Sequence, residues 1–142
     1  MGILKWLFGK PKPKRRQVRA QGEFEGPGTY EFTVVGTARY QDALEAICGG
    51  HREDGHNFKT TASLVLEDDN AHDNQAVRID IKGKTVGYLS REYARQYRRM
   101  LNRTRHPRIT ASCGAMIVGG WDQGGGDRGL FGVRLDLPTK EG

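Results

Sequence analysis

Residues 75–81 carry the clearest strand pattern in the chain, and it constrains the fold more than any other segment. Five consecutive side chains alternate between apolar and polar: Val77, Arg78, Ile79, Asp80 and Ile81. Because successive side chains of a strand point to opposite faces, this pattern predicts a half-buried β-strand with one solvated face. The sequence KGK at 82–84 favours a tight turn in which Gly83 supplies a positive φ. Residues 85–89 are then expected to return as the second strand of a hairpin.

Further segments have the composition or the alternation of strands. Their expected ranges are 30–36, 60–67, 108–118 and 131–137. A short helix is expected at 41–48, followed by a polar loop at 49–59. With five to six strands and about two short helices, the chain is expected to be mainly β (α+β). A small barrel or strongly bent sheet, with one helix closing an end, fits this order of elements.

Residues 90–107 have the pattern of a single amphipathic helix. Ser90 is a good N-cap, Glu92 lies in the positive first turn, and Pro107 prevents continuation. The apolar and aromatic side chains share one side of a helical wheel: Tyr93, Tyr97, Met100 and Leu101. The opposite side carries Arg91, Arg95, Arg98 and Asn102, with Arg99 at its margin. We therefore expect an arginine stripe that faces solvent. Phosphate binding and a merely solvated helix face are both compatible with such a stripe.

The positive charge of the chain is unevenly distributed. The 142 residues have a net charge of +6. Residues 1–20 contain seven Lys and Arg and no acid, so the remainder has a net charge of −1. Within that remainder, residues 91–108 contain seven Arg and one acid. The composition predicts a flexible basic tail over 1–22, with a short amphipathic start, ahead of a folded domain over 23–142.

Cysteine content and hydropathy indicate the compartment. Cys48 and Cys113 match no CxxC pattern, which favours buried, reduced thiols and a cytoplasmic protein. No run of residues approaches the ~18 apolar positions that a bilayer-spanning helix needs. The first ten residues are interrupted by Lys5 and make a poor signal peptide.

Two groups of metal-ligating residue types have competing interpretations. Cys48, His51 and His56 form C-x2-H-x4-H, and Cys113 could complete a tetrahedral zinc set. The interpretation we favour places Cys48 at a helix end in the core and both histidines in solvent. The second group lies in residues 68–73, the acidic turn, and consists of Asp68, Asp69, Asn70, His72 and Asp73. A divalent cation there competes with a tight turn capped by Asx side chains, which we expect, and no cofactor is expected.

Several segments together resemble the HIRAN family. LVLEDDNAHDNQAVRID (64–80) is similar to the family's acidic-turn motif, and TVGYLSREYA (85–94) to its hairpin partner strand and helix start. VVGTARYQDAL (34–44) and IVGGWDQGGGDRGLFGVRLDL (117–137) also look like bacterial members. The resemblance covers roughly residues 30–137. It implies a modified OB-like β-barrel that binds single-stranded DNA and captures a free 3′ end.

The resemblance also implies individual binding residues. Asn70 matches the asparagine of the motif, while His72 and Asp73 match an aromatic-Asp pair that contacts the terminal nucleotide. Tyr88 follows the glycine of the G-Y-L segment and is expected, like His72, to meet a base. Arg91 matches a basic position just after it. Asp73 would accept a hydrogen bond from a terminal hydroxyl and would repel a phosphate at the same place.

Other candidates come from the residues themselves. Tyr40 and Trp121 are further rings for base stacking, although Trp121 is equally expected to plug the mouth of the barrel. Arg95, Arg98 and Arg99 are candidates for phosphate contacts. The glycine-rich loop at 119–129 lacks the Lys-Ser/Thr of a P-loop.

These features predict a non-catalytic module that binds nucleic acid, most simply single-stranded DNA in DNA repair or processing. Since family members are often fused to helicases or nucleases, such a protein is an expected partner. The alternative is a protein-interaction adaptor whose residues 1–20 tether it to an anionic membrane or a partner. A third hypothesis is a metal-dependent nuclease that uses the acidic turn.

Overall fold

A computed structural model of the protein describes residues 19–138. Its strands are β1 (Gly22–Glu23), β2 (Phe32–Thr33), β3 (His56–Glu67), β4 (Ala76–Ile81), β5 (Lys84–Tyr88), β6 (Ala111–Gly119) and β7 (Phe131–Asp136). The helices are α1 (Gln41–Cys48), which follows a 3₁₀ turn at Thr37–Tyr40, and α2 (Arg91–Asn102). The mainly β class is confirmed, with seven described strands instead of five to six. Residues 1–18 lie outside the described residues, and with them almost all of the predicted basic tail.

The sheet curls into a small OB-like barrel. Its strand order is β2-β7-β6-β3-β4-β5, and β1 pairs in parallel with β6. Residues 34–35 connect the two ends of this order. Val34 N donates to Val133 O on β7 (2.9 Å), while Val35 N donates to Tyr88 O on β5 (2.8 Å). Tyr88 N donates back to Val35 O (2.9 Å), so one residue pair joins the last strand to the first.

The β4–β5 hairpin has the predicted turn and a glycine at the point of closure. Lys82 and Gly83 have φ of 50° and 77°, the two positive values that a type I′ turn requires. Gly87 lies where β5 meets residues 34–35. A Cβ added to Gly87 would be 2.6 Å from both Val34 Cγ1 and Val35 O. Only glycine therefore permits this approach of the two segments.

Helix α2 packs on the barrel by the face that its sequence predicts. Tyr97 and Leu101 are buried in the hydrophobic core. Ser90 caps the helix, because its Oγ accepts a hydrogen bond from Tyr93 N (3.1 Å). Tyr93 also packs edge-on against Phe32, with ring centroids 4.9 Å apart. Within the described residues no helix is both long and apolar enough to cross a bilayer.

Some strand boundaries differ from the prediction. The segment expected at 30–36 contributes only the two residues of β2. Tyr30 (φ 49°) leaves the extended conformation before β2, and Val35 pairs with Tyr88 of β5 instead of with β7. Residues 56–59, expected in a loop, begin β3 instead. The strand β1 begins at Gly22, within the range that the composition predicts as the tail.

The prediction that β4 has a solvated face is wrong. Arg78 and Asp80 are only 7% and 8% exposed, although Val77 and Ile79 lie on the opposite, core face. Buried charges are stable only when they are paired and hydrogen-bonded. Their partners lie next to the acidic turn.

Candidate nucleic-acid interface

The acidic turn joins β3 to β4 and is held by its own Asx side chains. Asn70 Oδ1 accepts hydrogen bonds from His72 N (2.8 Å) and Asp73 N (3.1 Å). Asp73 Oδ1 accepts one from Gln75 N (3.0 Å). The capped turn is therefore confirmed. Nowhere in residues 19–138 do three or more His, Cys, Asp and Glu side chains form a group that could hold a metal ion. The His72 side chain is left exposed.

Two arginines of α2 flank Asp73. Arg91 Nε is 3.5 Å from Asp73 Oδ2, and Arg95 Nη2 is 3.7 Å from Asp73 Oδ1. Arg91 also donates to the carbonyl oxygen of His72 (3.4 Å). The Asp73 side chain is 14% exposed, whereas that of Arg91 is 71% exposed. A half-buried carboxylate thus lies between two cations that remain open to solvent, beside an exposed imidazole.

Arg98 does not belong to the solvent-facing stripe, and that prediction is wrong. Its Nε and Nη2 donate to the carbonyl oxygens of Gln75 (2.7 Å) and Ala76 (2.9 Å). Its Nη1 donates to Asp68 Oδ1 (2.9 Å), and Arg108 contacts the other oxygen of Asp68. Burial raises the pKa of Asp68, but hydrogen bonds from these two arginines outweigh it and leave the pKa below its ordinary value. Arg98 therefore fastens α2 to the turn.

Four exposed arginines follow one another along α2 and its C-cap residue. We call Arg91, Arg95, Arg99 and Arg103 the arginine ridge. They recur every four positions, so neighbours are about 6 Å apart along the helix axis. The side chains of Arg99 and Arg103 make no hydrogen bond or ion pair with any described residue. The ridge thus begins at the acidic turn, where Arg91 and Arg95 flank Asp73, and continues toward the C-terminal end of α2.

A buried ionic network lies on the β4 face behind the turn. Arg78 Nε and Nη2 donate to the two oxygens of Asp80 (3.0 and 2.9 Å), and its Nη1 donates to Glu67 Oε2 (3.1 Å). Thr85 Oγ1 donates to Asp80 Oδ1 (2.9 Å). Burial alone would lower the pKa of Arg78, but the hydrogen bonds and charges of both acids raise it instead. This pairing explains how β4 can bury two charged side chains.

The network continues into the acidic turn through one carboxylate. Glu67 Oε1 accepts hydrogen bonds from Asn70 Nδ2 (3.0 Å) and from the Tyr88 hydroxyl (3.0 Å). Burial raises the pKa of Glu67, but hydrogen bonds from Asn70, Tyr88 and Arg78 more than offset it and lower the pKa. Tyr88, predicted as a stacking ring, thus has its hydroxyl engaged with Glu67.

The structure separates the candidate rings. Trp121 is 40% exposed, with its Nε1 donating to Asp127 (3.2 Å) and a backbone bridge to Arg52, four residues before β3. The acidic turn follows the other end of β3, whose 12 residues span roughly 35–40 Å. Trp121 is therefore not brought together with His72. Tyr40 ends the 3₁₀ turn that packs against β5, the strand of Tyr88.

The candidate zinc ligands have separate environments. Cys113 is 1% exposed in the core, and burial raises its pKa to about 12. Cys48 is half-buried, and burial raises its pKa also. The expectation that both histidines are solvated is wrong. His56 is 8% exposed, and the rings of His51 and His56 pack against Phe131 with centroids 5.0 and 5.4 Å away.

Glu67, Arg78 and Asp80 are not among the site residues predicted from the sequence, whereas Asn70 and Tyr88, which both contact Glu67, are. Arg78 and Asp80 alternate with apolar residues, and that pattern alone predicts that they are solvated. A signal was present: opposite charges two positions apart on a strand lie on one face and can pair. The contribution of Glu67 depends on strand pairing, since β3 places it eleven positions before Arg78 in the chain.

The described residues thus define a small OB-like β-barrel with a capped turn beside a basic helix. A family model for the HIRAN domain matches residues 27–114. Since this match covers more than half of the chain, the protein belongs to the HIRAN domain family. HIRAN domains are in general nucleic-acid-binding modules and are typically not catalytic themselves. Comparisons with curated proteins and with solved structures gave no match.

Proposed function

We propose that the protein is a non-catalytic module that binds single-stranded DNA and holds a free 3′ end at the acidic turn. The observation that carries this proposal is the position of Asp73 between Arg91 and Arg95, with His72 exposed beside it. Asp73 supplies an acceptor for a hydroxyl, the arginines supply cations for phosphodiesters, and the imidazole supplies a ring for a base. A strand terminus presents a hydroxyl, a phosphodiester and a base together, and these three groups match the acceptor, the cations and the ring.

Each group has a separate role in this proposal. The terminal 3′-hydroxyl donates to Asp73, and the last phosphodiester lies against Arg91 and Arg95. The terminal base stacks on His72, a contact worth ~1–3 kcal/mol for an aromatic ring. Further phosphates follow the arginine ridge. A 3′-phosphate brings extra negative charge against the Asp73 carboxylate, so the free hydroxyl is preferred although cations flank the site.

The proposal extends to the context of the domain. Residues 1–22 add a sequence-independent attraction to any polyanion, because they hold the excess positive charge of the chain. The domain over 23–142 supplies the end preference. We propose a role in DNA repair or processing, with a helicase or nuclease as the partner that acts on the captured strand. The two free thiols accord with a cytoplasmic location.

A pair of variants in the acidic turn tests the proposal. Asp73→Ala removes the acceptor, while Asp69→Ala removes an exposed carboxylate that makes no hydrogen bond or ion pair with the described residues. Fluorescence anisotropy would compare strands that end in a 3′-hydroxyl or a 3′-phosphate. We expect Asp73→Ala to bind both equally and Asp69→Ala to keep the preference of the unaltered protein. If the two variants lost the preference for the 3′-hydroxyl equally, a specific role for Asp73 would be contradicted.

A protein-binding adaptor is the second candidate function. Leu130 is 68% exposed and Trp121 is 40% exposed, both on the loop far from the acidic turn. Exposed aromatic and apolar side chains are typical anchors of protein interfaces. If this surface serves a protein partner, Trp121→Ala with Leu130→Ser leaves DNA affinity unchanged. A large loss of DNA affinity would instead assign the loop to nucleic-acid binding.

Membrane tethering by residues 1–20, which lie almost wholly outside the described residues, is tested by liposome sedimentation of the full chain and of a chain beginning at Arg19.

A further inference from the structure

We infer that Glu67 is a positioning residue that fixes the acidic turn for end recognition, and that Tyr88 acts through Glu67 and not as a stacking ring. This inference rests on the proposed function, because it concerns the same site. Neither residue needs to touch the DNA. Their effect passes through Asn70 to the backbone of His72 and Asp73.

The first step is the orientation of the Asn70 side chain. Its Nδ2 donates to Glu67 Oε1 (3.0 Å), which leaves its Oδ1 to accept from His72 N and Asp73 N (2.8 and 3.1 Å). A flipped amide would place an NH₂ group against two backbone N–H groups, and donors cannot satisfy donors. The contact with Glu67 therefore reinforces the one orientation of Asn70 that caps the turn and holds its side chain in place.

The second step is the need for a carboxylate at position 67. Three donor groups converge on this side chain, from Asn70, Tyr88 and Arg78, and the side chain is only 15% exposed. An ionised carboxylate accepts at both oxygens, whereas a glutamine carries an NH₂ group on one side. Glutamine must turn that group either toward the Arg78 guanidinium or toward Asn70 Nδ2. In both cases two donors meet and the set of hydrogen bonds is broken.

The third step separates positioning from stability. Asp80 neutralises the same buried Arg78 through two hydrogen bonds, and its other partner is Thr85. Neither contact belongs to the acidic turn. Asp80→Asn is thus a matched control for Glu67→Gln. Each variant removes one carboxylate from Arg78, but only Glu67→Gln disturbs Asn70.

Tyr88 offers an independent variant. Tyr88→Phe keeps the ring and removes the hydroxyl that donates to Glu67 Oε1. If the ring stacked on a base, phenylalanine would serve almost as well. If the hydroxyl supports the turn, the end preference falls although the ring remains.

The experiment uses the full chain, with two readouts for each variant. The first is the ratio of affinities for strands ending in a 3′-hydroxyl and a 3′-phosphate, in which the contribution of the basic tail cancels. The second is amide hydrogen exchange at His72 and Asp73 by NMR, measured without DNA. We expect Glu67→Gln to reduce the preference by roughly tenfold, as for a lost hydrogen bond to a charged group, and to speed exchange at both amides. Tyr88→Phe should do the same to a smaller extent.

The control and the two readouts separate the possible failures. Asp80→Asn should lower the melting temperature yet keep the affinity ratio and the exchange rates at the turn. An unchanged ratio in Glu67→Gln, or an equal fall in Asp80→Asn, overturns the inference and leaves the proposed function intact. If the unaltered protein shows no end preference, the proposed function falls and the inferred role in recognition falls with it. The exchange rates then still decide whether Glu67 orders the turn.

Discussion

The arginine ridge makes a quantitative prediction, because its guanidinium groups are exposed and regularly spaced. In single-strand binding, log affinity falls with log salt by about 0.7 for each phosphate that is neutralised. If all four ridge arginines contact phosphates, the ridge contributes a slope of about −2.8. Arg95→Gln with Arg99→Gln removes half of these contacts and lowers the steepness by about 1.4.

The expected effect is large enough to measure by fluorescence anisotropy. Between about 50 and 200 mM salt, the contribution of the ridge amounts to about a 50-fold loss of affinity. The double variant should reduce this contribution to about sevenfold. The basic tail adds the same contribution to both proteins, so the difference in slope is retained in the full chain. The variant should bind all sequences more weakly, because phosphates carry no base identity.

A matched control is available at the other end of β4. Lys82 and Lys84 are exposed in the hairpin turn, while the acidic turn lies before the first residue of the strand. Lys82→Gln with Lys84→Gln removes the same charge and should leave the slope unchanged. An unchanged slope in the ridge variant would refute the assignment of phosphates to α2. If the slope of log affinity against log salt fell equally in the two double variants, binding would depend on the net charge of the protein and not on the position of the arginines.

Three further predictions concern stability and the thiols. Gly87→Ala should lower the free energy of unfolding by about 1–3 kcal/mol in urea titrations, because the new Cβ overlaps residues 34–35. An unchanged urea midpoint would contradict the close approach of β5 to residues 34–35. Glu67 has a pKa below its ordinary 4.5 in the folded protein, so its stabilising contribution is complete above about pH 4.5 and is lost as the pH falls through the folded value. Acid titrations of stability should therefore be flatter in Glu67→Gln, and parallel curves would contradict this. Cys48 should react with a thiol reagent at pH 8 well before Cys113, whose pKa is about 12, and equal rates would contradict the burial of Cys113.

Local patterns predicted the elements that depend on neighbours in sequence. The hairpin turn at 82–84 and the Ser90 cap are settled within a few residues, and both agree with the structure. Helix α1 was placed at its observed bounds. The acidic turn was also predictable, because Asn and Asp side chains bond to the backbone two or three positions away.

What the sequence could not reveal depends on contacts between distant segments. A helical wheel places Arg98 on the side away from the core, but it does not show that residues 75–76 pass within reach of that side. Alternation in β4 separates two faces without indicating that both are covered. Arg78 can be buried because Asp80 accepts two of its hydrogen bonds and the pairing of β3 with β4 brings Glu67 within reach of a third. The separation of Trp121 from His72 likewise follows from the length of β3, which begins four residues before the predicted strand at 60–67.

The central claim is that the folded domain itself, and not the basic tail, recognises a free 3′ end. The measurement that tests it most directly is DNA binding by the protein beginning at Arg19, which keeps the hydrogen bond from Gln21 N to Thr110 O that holds the start of β1. Single strands with a 3′-hydroxyl, single strands with a 3′-phosphate and a blunt duplex would be compared at low and moderate salt. We predict salt-sensitive binding that is tightest for the free 3′-hydroxyl and weakest for the duplex. Equal affinity for all three, or no binding without residues 1–18, would contradict the account.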